Sequence, residues 1–276
     1  MKIKLRDYQV EAVKFAERVK KCLLCMRVGS GKTICAMFAL RALLNSKKVD
    51  KAVVSCTKSS VSVFKTDFKE KAGLDVPVIE SAEDLIEFLK GKGKVCIVKH
   101  SMFEKAGNDV TTVRTLMDIA KNTKVALVVD EAHKIQNVDG VTHEAFQRLA
   151  FLFERVILLT ATPYSSCLSQ FYGLIHLIYP DLWKSKRAFF DRYIDEITII
   201  SPITHRVARK EKVRYKNLKE FRETIEPFTY FYYPSIPLVH IEHHTRLEDY
   251  STYDDLCKGI LRDEDLEKME KAKKND

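Results

Sequence analysis

Five short runs of apolar and β-branched residues, at 21–28, 51–55, 94–99, 124–130 and 155–160, alternate with segments whose apolar residues recur at helical spacing. No other feature narrows the architecture as much. A strand that is followed by a helix and then by another strand needs a crossover, so the strands lie parallel and helices cover both faces of their sheet. The run Ala126-Leu127-Val128-Val129 is apolar at every position, which suits a central strand that meets no solvent on either side. Its end delivers polar residues to the carboxyl edge of the sheet, where open α/β folds bind their ligands. The expected fold class is therefore α/β, with a central, mainly parallel sheet flanked by helices.

A chain of 276 residues with 46% hydrophobic content can bury a core of one large or two modest domains. Its 47 Lys plus Arg against 38 Asp plus Glu give a formal charge of +9, which favours a polyanionic partner without identifying one. Seven cysteines, at 22, 25, 35, 56, 96, 167 and 257, are odd in number and lie mostly in apolar runs. They read as buried, reduced thiols and imply an intracellular compartment. Cys22 and Cys25 form a C-x-x-C, but no second pair follows at zinc-site spacing, so both read as ordinary strand cysteines. The start, Met1-Lys2-Ile3-Lys4-Leu5-Arg6-Asp7, lacks the apolar core of a signal peptide, and no stretch approaches the ~18 apolar residues of a membrane-spanning helix.

Beyond Pro163 the character changes. Residues 171–190 read as a pair of aromatic-rich amphipathic helices broken at Pro180-Asp181, a helical elaboration on the core. Residues 205–223 carry eight basic residues against three acidic ones, which reads either as a solvated helix face or as a nucleic-acid contact. Residues 227–233 and 238–245 read as extended segments, 249–261 as a helix, and 262–276 as a charged, frayed end or linker.

The strongest local signal is Val28-Gly29-Ser30-Gly31-Lys32-Thr33, between an expected strand and the helix 34–44. In a P-loop of this kind, glycines let backbone N–H groups close around phosphate oxygens and the helix N-terminus adds partial positive charge. Lys32 then reaches the β and γ phosphates of ATP, and Thr33 offers its hydroxyl to Mg²⁺. Ser30 lies within the loop, while Arg27 stands where the general pattern has its first glycine. Nearly a hundred residues on, the central strand ends in Asp130-Glu131-Ala132-His133. An Asp at the tip of the neighbouring strand holds Mg²⁺ against the phosphates, and the adjacent Glu accepts a proton from the attacking water. The catalytic candidates are Lys32, Asp130 and Glu131; the metal candidates are Thr33 and Asp130.

In this order the motifs resemble the first RecA-like domain of superfamily 2 helicase-like ATPases, and in particular the Swi/Snf-type branch. Leu5-Arg6-Asp7-Tyr8-Gln9 resembles the L-R-x-Y-Q that precedes the P-loop there, which implies that Tyr8 and Gln9 join Gly29, Ser30, Gly31, Lys32 and Thr33 in holding the nucleotide. Thr57, Lys58 and Ser59, in Val53-Val54-Ser55-Cys56-Thr57-Lys58-Ser59-Ser60, and His100 and Ser101, in Val98-Lys99-His100-Ser101-Met102-Phe103, fall where that branch contacts the nucleic-acid backbone. Thr160-Ala161-Thr162-Pro163 resembles the T-A-T-P that couples hydrolysis to movement, with His133 close to Thr160 and Thr162. Tyr172-Gly173-Leu174-Ile175 through Phe189-Phe190 resembles the branch's helical protrusion.

The resemblance implies a RecA-like core at 1–163, a protrusion at 164–235, and a last strand and helix at 236–276 leading toward a second RecA-like domain. It also implies an ATP- and Mg²⁺-dependent translocase that tracks duplex DNA without separating its strands. Two departures stand out. Tyr230-Phe231-Tyr232-Tyr233 occupies the place of the usual double arginine, and nothing after 245 resembles the second domain with its arginine finger. Either the chain is a fragment or a partner supplies the rest.

Plainer roles stay open for several of these residues. Tyr8 and Gln9 would also serve to cap the first helix, Ser59 and Ser60 to form a turn, and His100 to hold structure. At the level of function, an RNA helicase, a restriction-type translocase and a nucleotide-dependent binding module without turnover share these motifs.

Overall fold

In the computed structural model the described residues are 4–163, 168–200 and 207–233. The chain runs α1 (Asp7–Arg18), β1 (Lys21–Met26), α2 (Lys32–Asn45), β2 (Lys51–Cys56), α3 (Val61–Ala72), β3 (Val78–Ile79), α4 (Ala82–Lys90), β4 (Val95–Lys99), α5 (His100–Asn108) and α6 (Val110–Ala120). It continues through β5 (Val125–Val129), α7 (Val141–Ala150), β6 (Arg155–Thr160), α8 (Leu168–Ile178), α9 (Lys186–Tyr193), β7 (Ile194–Ile200), β8 (Val207–Tyr215), α10 (Leu218–Ile225) and β9 (Thr229–Tyr232).

Seven strands form one sheet in the order β3-β4-β2-β5-β6-β1-β9, and each neighbouring pair is parallel. Every residue of β2, β5 and β6 is buried, as the apolar runs require when helices cover both faces. Cys22 and Cys25 lie buried in β1, and among the described residues no group of three or more potential metal ligands gathers. The one lysine in these buried strands has a specific reason to be there. Lys51 Nζ donates to the carbonyls of Phe88, Gly91 and Gly93 at 3.0, 2.7 and 2.7 Å, where α4 ends. A cation at that point satisfies carbonyls that no further helical turn can reach.

The chain divides into two compact units. Among the described residues the first comprises 4–163, Gln170–Leu182 and Phe228–Tyr233; the second comprises 168–169, 183–200 and 207–227. The aromatic strand β9, inside the segment 164–235 expected as protrusion, joins the main sheet by pairing Leu23, Leu24, Cys25 and Met26 with Thr229, Tyr230, Phe231 and Tyr232. Most of α8 also belongs to the first unit, because Gly173 lets it approach a core loop at backbone distance. A Cβ at Gly173 would stand 1.7 Å from the Gln136 carbonyl oxygen. The expected elements at 236–276 lie outside the described residues.

The second unit packs Trp183, Phe189, Tyr193 and Phe221 edge to face and stacked, with Trp183 and Phe189 centroids 4.9 Å apart. Ser185 caps α9 by accepting from the Ala188 N–H at 3.1 Å. Arg192 pairs with both carboxylate oxygens of Glu220, joining α9 to α10. Within the basic segment 205–223, the described residues 207–215 form a strand rather than a helix face, and 218–223 lie in α10. That strand, β8, pairs antiparallel with the β-branched β7. The partner strand supplies the ladder, and nothing in a charge count announces it. Among the described residues no helix is long and apolar enough to cross a membrane.

Candidate functional site

The sheet order puts the tips of β5, β6 and β1 side by side. The sequence motifs suggested that the Asp130 strand is the direct neighbour of the P-loop strand; instead β6 lies between them. Its Thr160 therefore sits between the two, and all three tips open on the carboxyl edge.

At the β1 tip the loop turns through Gly29 at φ +77° and Gly31 at φ +82° before α2 starts at Lys32. Gly31 is favoured by its left-handed backbone, and a Cβ there would stand 2.6 Å from Gln9 Nε2, so the Gln9 side chain would have to move. The carbonyl of Ser30 accepts two side-chain bonds, from Tyr8 Oη at 3.1 Å and from Gln9 Nε2 at 2.9 Å. Ser30 Oγ donates to the Arg27 carbonyl at 2.6 Å. Tyr8 and Gln9 thus fold the start of α1 onto the loop. Gln9 also keeps the plainer role open, since its Oε1 accepts from the Arg6 N–H at 3.0 Å at the helix start. Lys32 Nζ rests on the Met26 carbonyl at 3.2 Å.

At the β5 tip Asp130 is buried, and its backbone N–H donates to Ser55 at 2.9 Å. Burial raises its carboxyl pKa, the neighbouring Glu131 charge raises it further, and a hydrogen bond from Ser60 opposes both. Such a carboxylate gains from a cation. Hard oxygen donors at Asp130 and Thr33 suit Mg²⁺, which takes one or two carboxylates and completes its shell with water and phosphate. Glu131 adopts φ +47°, a strained left-handed conformation for a side-chain-bearing residue. A hydrogen bond from His133 holds its carboxyl below the usual range against partial burial, with Lys32 assisting. His133 Nδ1 lies 3.2 Å from Glu131 Oε2 and 3.3 Å from Thr160 Oγ1, and Thr160 Oγ1 accepts from the Thr162 N–H at 3.1 Å. Glu131, His133 and the Thr160–Thr162 segment are therefore contiguous.

The expected nucleic-acid residues divide. Thr57, Lys58 and Ser59 stand at the tip of β2, where Thr57 Oγ1 accepts from the Ser60 N–H at 3.3 Å and Lys58 is exposed. Ser101 is exposed at the start of α5. His100 does not present its ring outward, because Nδ1 meets Ser55 Oγ at 2.8 Å and Nε2 meets the Asp130 carbonyl at 2.8 Å. A carbonyl can only accept, so Nε2 carries the proton and Nδ1 accepts from the serine hydroxyl. Burial drives the His100 pKa down to about 4.

Reading the sequence alone missed Ser55 and underrated Ser60. Each ties the Asp130 segment to the loop after β2 or to α5. Ser55 is a fully buried hydroxyl at the end of an apolar strand, and a buried polar group of that kind signals a required partner.

Comparison with known proteins identifies the family. The model of the SNF2-related domain matches residues 8–230. The DNA repair protein rhp54 of Schizosaccharomyces pombe is 25% identical over 218 residues, covering 71% of this chain and 25% of that protein. The human chromodomain-helicase-DNA-binding protein 7 is 25% identical over 244 residues, covering 80% of this chain and 8% of that protein. The chain thus spans a quarter or less of these two relatives. Among solved structures, the Sulfolobus solfataricus SWI2/SNF2 ATPase core in complex with dsDNA superposes with a TM-score of 0.61 at 18% identity, covering 83% of this chain and 44% of that one. With its fold shared and the family model matched over most of its length, this chain belongs to the SNF2-related domain family.

Proposed function

We propose that this domain binds Mg²⁺ and ATP, hydrolyses the nucleotide, and uses the cycle to track duplex DNA inside the cell. The observation that carries the reading is the convergence of the Gly29–Gly31 loop, the Asp130-Glu131 pair and the His133–Thr160 contact on three adjacent strand tips. The family membership and the superposition on an ATPase core described with dsDNA support it.

In this mechanism the loop N–H groups and the start of α2 surround the phosphates, and Lys32 leaves the Met26 carbonyl to pair with the β and γ oxygens. Thr33 and Asp130 would hold Mg²⁺, which supplies positive charge against the phosphates. Glu131, ionised at neutral pH through its His133 bond, orients the attacking water and takes its proton. Tyr8 and Gln9 recognise the base. Thr57, Lys58, Ser59 and Ser101 meet the phosphate backbone, which gives binding without sequence preference. A second RecA-like domain, in a longer chain or in trans, contributes an arginine worth about 10³ to 10⁵ in rate in related systems.

Steady-state ATP hydrolysis tests this, with duplex DNA, single-stranded DNA or RNA added to a chain carrying both motor domains. Duplex DNA should stimulate most. Lys32→Ala should abolish binding or turnover, and Glu131→Gln should retain Mg-ATP while slowing hydrolysis by 10²-fold or more, the order for losing a general base. Undiminished turnover in either variant would refute the roles assigned. Nucleotide binding without any turnover in the parent would instead mark a binding module.

A further inference from the structure

Among the described residues β9 is the edge strand beside the P-loop strand, and its side chains alternate between the two sides of the sheet as a strand dictates. On one side, Tyr230 Oη donates to the Tyr8 carbonyl at 2.9 Å, and the Tyr232 ring lies flat on the Tyr8 ring, with centroids 3.7 Å apart and planes 8° apart. On the other, Phe231 stacks with Phe171 of α8, and Tyr233 Oη donates to the Ala161 carbonyl of the T-A-T-P loop at 2.9 Å. The backbone takes part as well, because the Arg27 N–H donates to the Tyr232 carbonyl at 3.1 Å where β1 gives way to the loop.

Tyr232 therefore reaches the loop twice. Its carbonyl fixes Arg27, whose own carbonyl accepts the Ser30 hydroxyl. Its ring fixes the plane of Tyr8, whose hydroxyl is one of two donors to the Ser30 carbonyl. A phenol free to swing about χ1 would hold that carbonyl only part of the time, so the stack determines how firmly the loop is preset for phosphate. We propose that Tyr232 is a positioning residue of the nucleotide site. Through Tyr8 it sets the conformation of the Gly29–Gly31 loop and hence the affinity for Mg-ATP. The inference rests on the assignment of that loop to ATP.

The test measures the dissociation constant of a fluorescent ATP analogue with Mg²⁺, together with KM and kcat for ATP in a chain carrying both motor domains. Tyr232→Ala should weaken analogue binding and raise KM by about two- to thirteenfold, the range set by the worth of an aromatic pair, and leave kcat near the parent's. Tyr232→Phe, which keeps the ring, should restore both. Tyr8→Phe, which keeps the stack and removes the hydroxyl, should weaken binding comparably, and Tyr232→Ala should add little on that background because both act through one bond. Should Tyr232→Ala fail to fold, Tyr232→Leu fills the position without a ring and takes its place. Unchanged affinity in the ring-less variant, or fully additive effects of Tyr8→Phe and Tyr232→Ala, overturns the proposal while Lys32→Ala still weakens binding. If Lys32→Ala has no effect either, the ATP assignment fails and the proposal falls with it.

Discussion

His100 offers the clearest quantitative test of how the Asp130 segment is held. Its neutral ring donates through Nε2 to the Asp130 carbonyl and accepts through Nδ1 from Ser55. Adding a proton at Nδ1 would place a charge in a largely desolvated site, even though the Ser55 hydroxyl could turn to accept from it. Burial is the main cause of a folded-state pKa near 4, against 6.5 for the free side chain. The folded pKa is depressed, so this group's contribution is fully present above pH 6.5 and is lost as the pH falls through 6.5 toward 4. At 1.36 kcal/mol per pKa unit the loss approaches about 3 kcal/mol. Urea unfolding of the parent and of His100→Gln between pH 7.5 and 4 measures it. Other acid-sensitive groups, including His143 and His176, whose pKa values burial also lowers, cancel in the difference. The stability advantage of the parent over the variant should shrink across that window and level off below it. A difference that stays constant from pH 7.5 to 4 would refute the buried, neutral histidine.

Two further outcomes follow from the same geometry. Gly173→Ala sets a methyl against the Gln136 carbonyl at 1.7 Å, so α8 must retreat from the segment after the D-E-A-H motif; a loss of about 1–3 kcal/mol in urea unfolding is expected, and an unchanged midpoint would show looser packing. Binding to duplex DNA should fall steeply with salt, and Lys58→Glu should weaken all sequences alike and lower the slope of log K against log salt by about one. A loss confined to one sequence, or a slope that does not change, would remove Lys58 from the interface.

The sheet was legible because a parallel strand buried on both faces leaves a near-continuous apolar run, as Val125 to Val129 does. The loop and the acidic pair were legible because their chemistry needs particular residues at the end of such runs. What sequence could not reveal were contacts whose energy lies in partners far along the chain. Tyr230 reaches Tyr8 across 222 positions, and Tyr233 reaches Ala161 across 72. Neither spacing has a period. A tyrosine-rich strand reads equally well as core, and only its pairing beside β1 brings the Tyr230 hydroxyl to α1 and the Tyr233 hydroxyl to the loop at Ala161. The basic run 205–223 misled for the opposite reason. Charge is conspicuous in sequence, whereas the pairing of β8 with β7 depends on a register that charge does not encode.

The insertion of β6 between β1 and β5 bears on how one event at the proposed site reaches another. Had the two motif strands been neighbours, Glu131 and the P-loop would face each other with no reporter between them. Instead, Thr160 stands at the intervening tip, and a single nitrogen, His133 Nδ1, lies within 3.2 Å of Glu131 and 3.3 Å of Thr160. One N–H cannot serve two acceptors at full strength. While Glu131 is charged, its carboxylate competes best for that proton; protonation of Glu131, the step assigned to it in the proposed mechanism, would shift the balance toward Thr160 Oγ1. Thr160 Oγ1 also accepts the Thr162 N–H, and the adjoining Ala161 carbonyl is held by Tyr233. On that proposal a change of charge at Glu131 would be felt at Thr160 itself, next to the Ala161 carbonyl that Tyr233 holds.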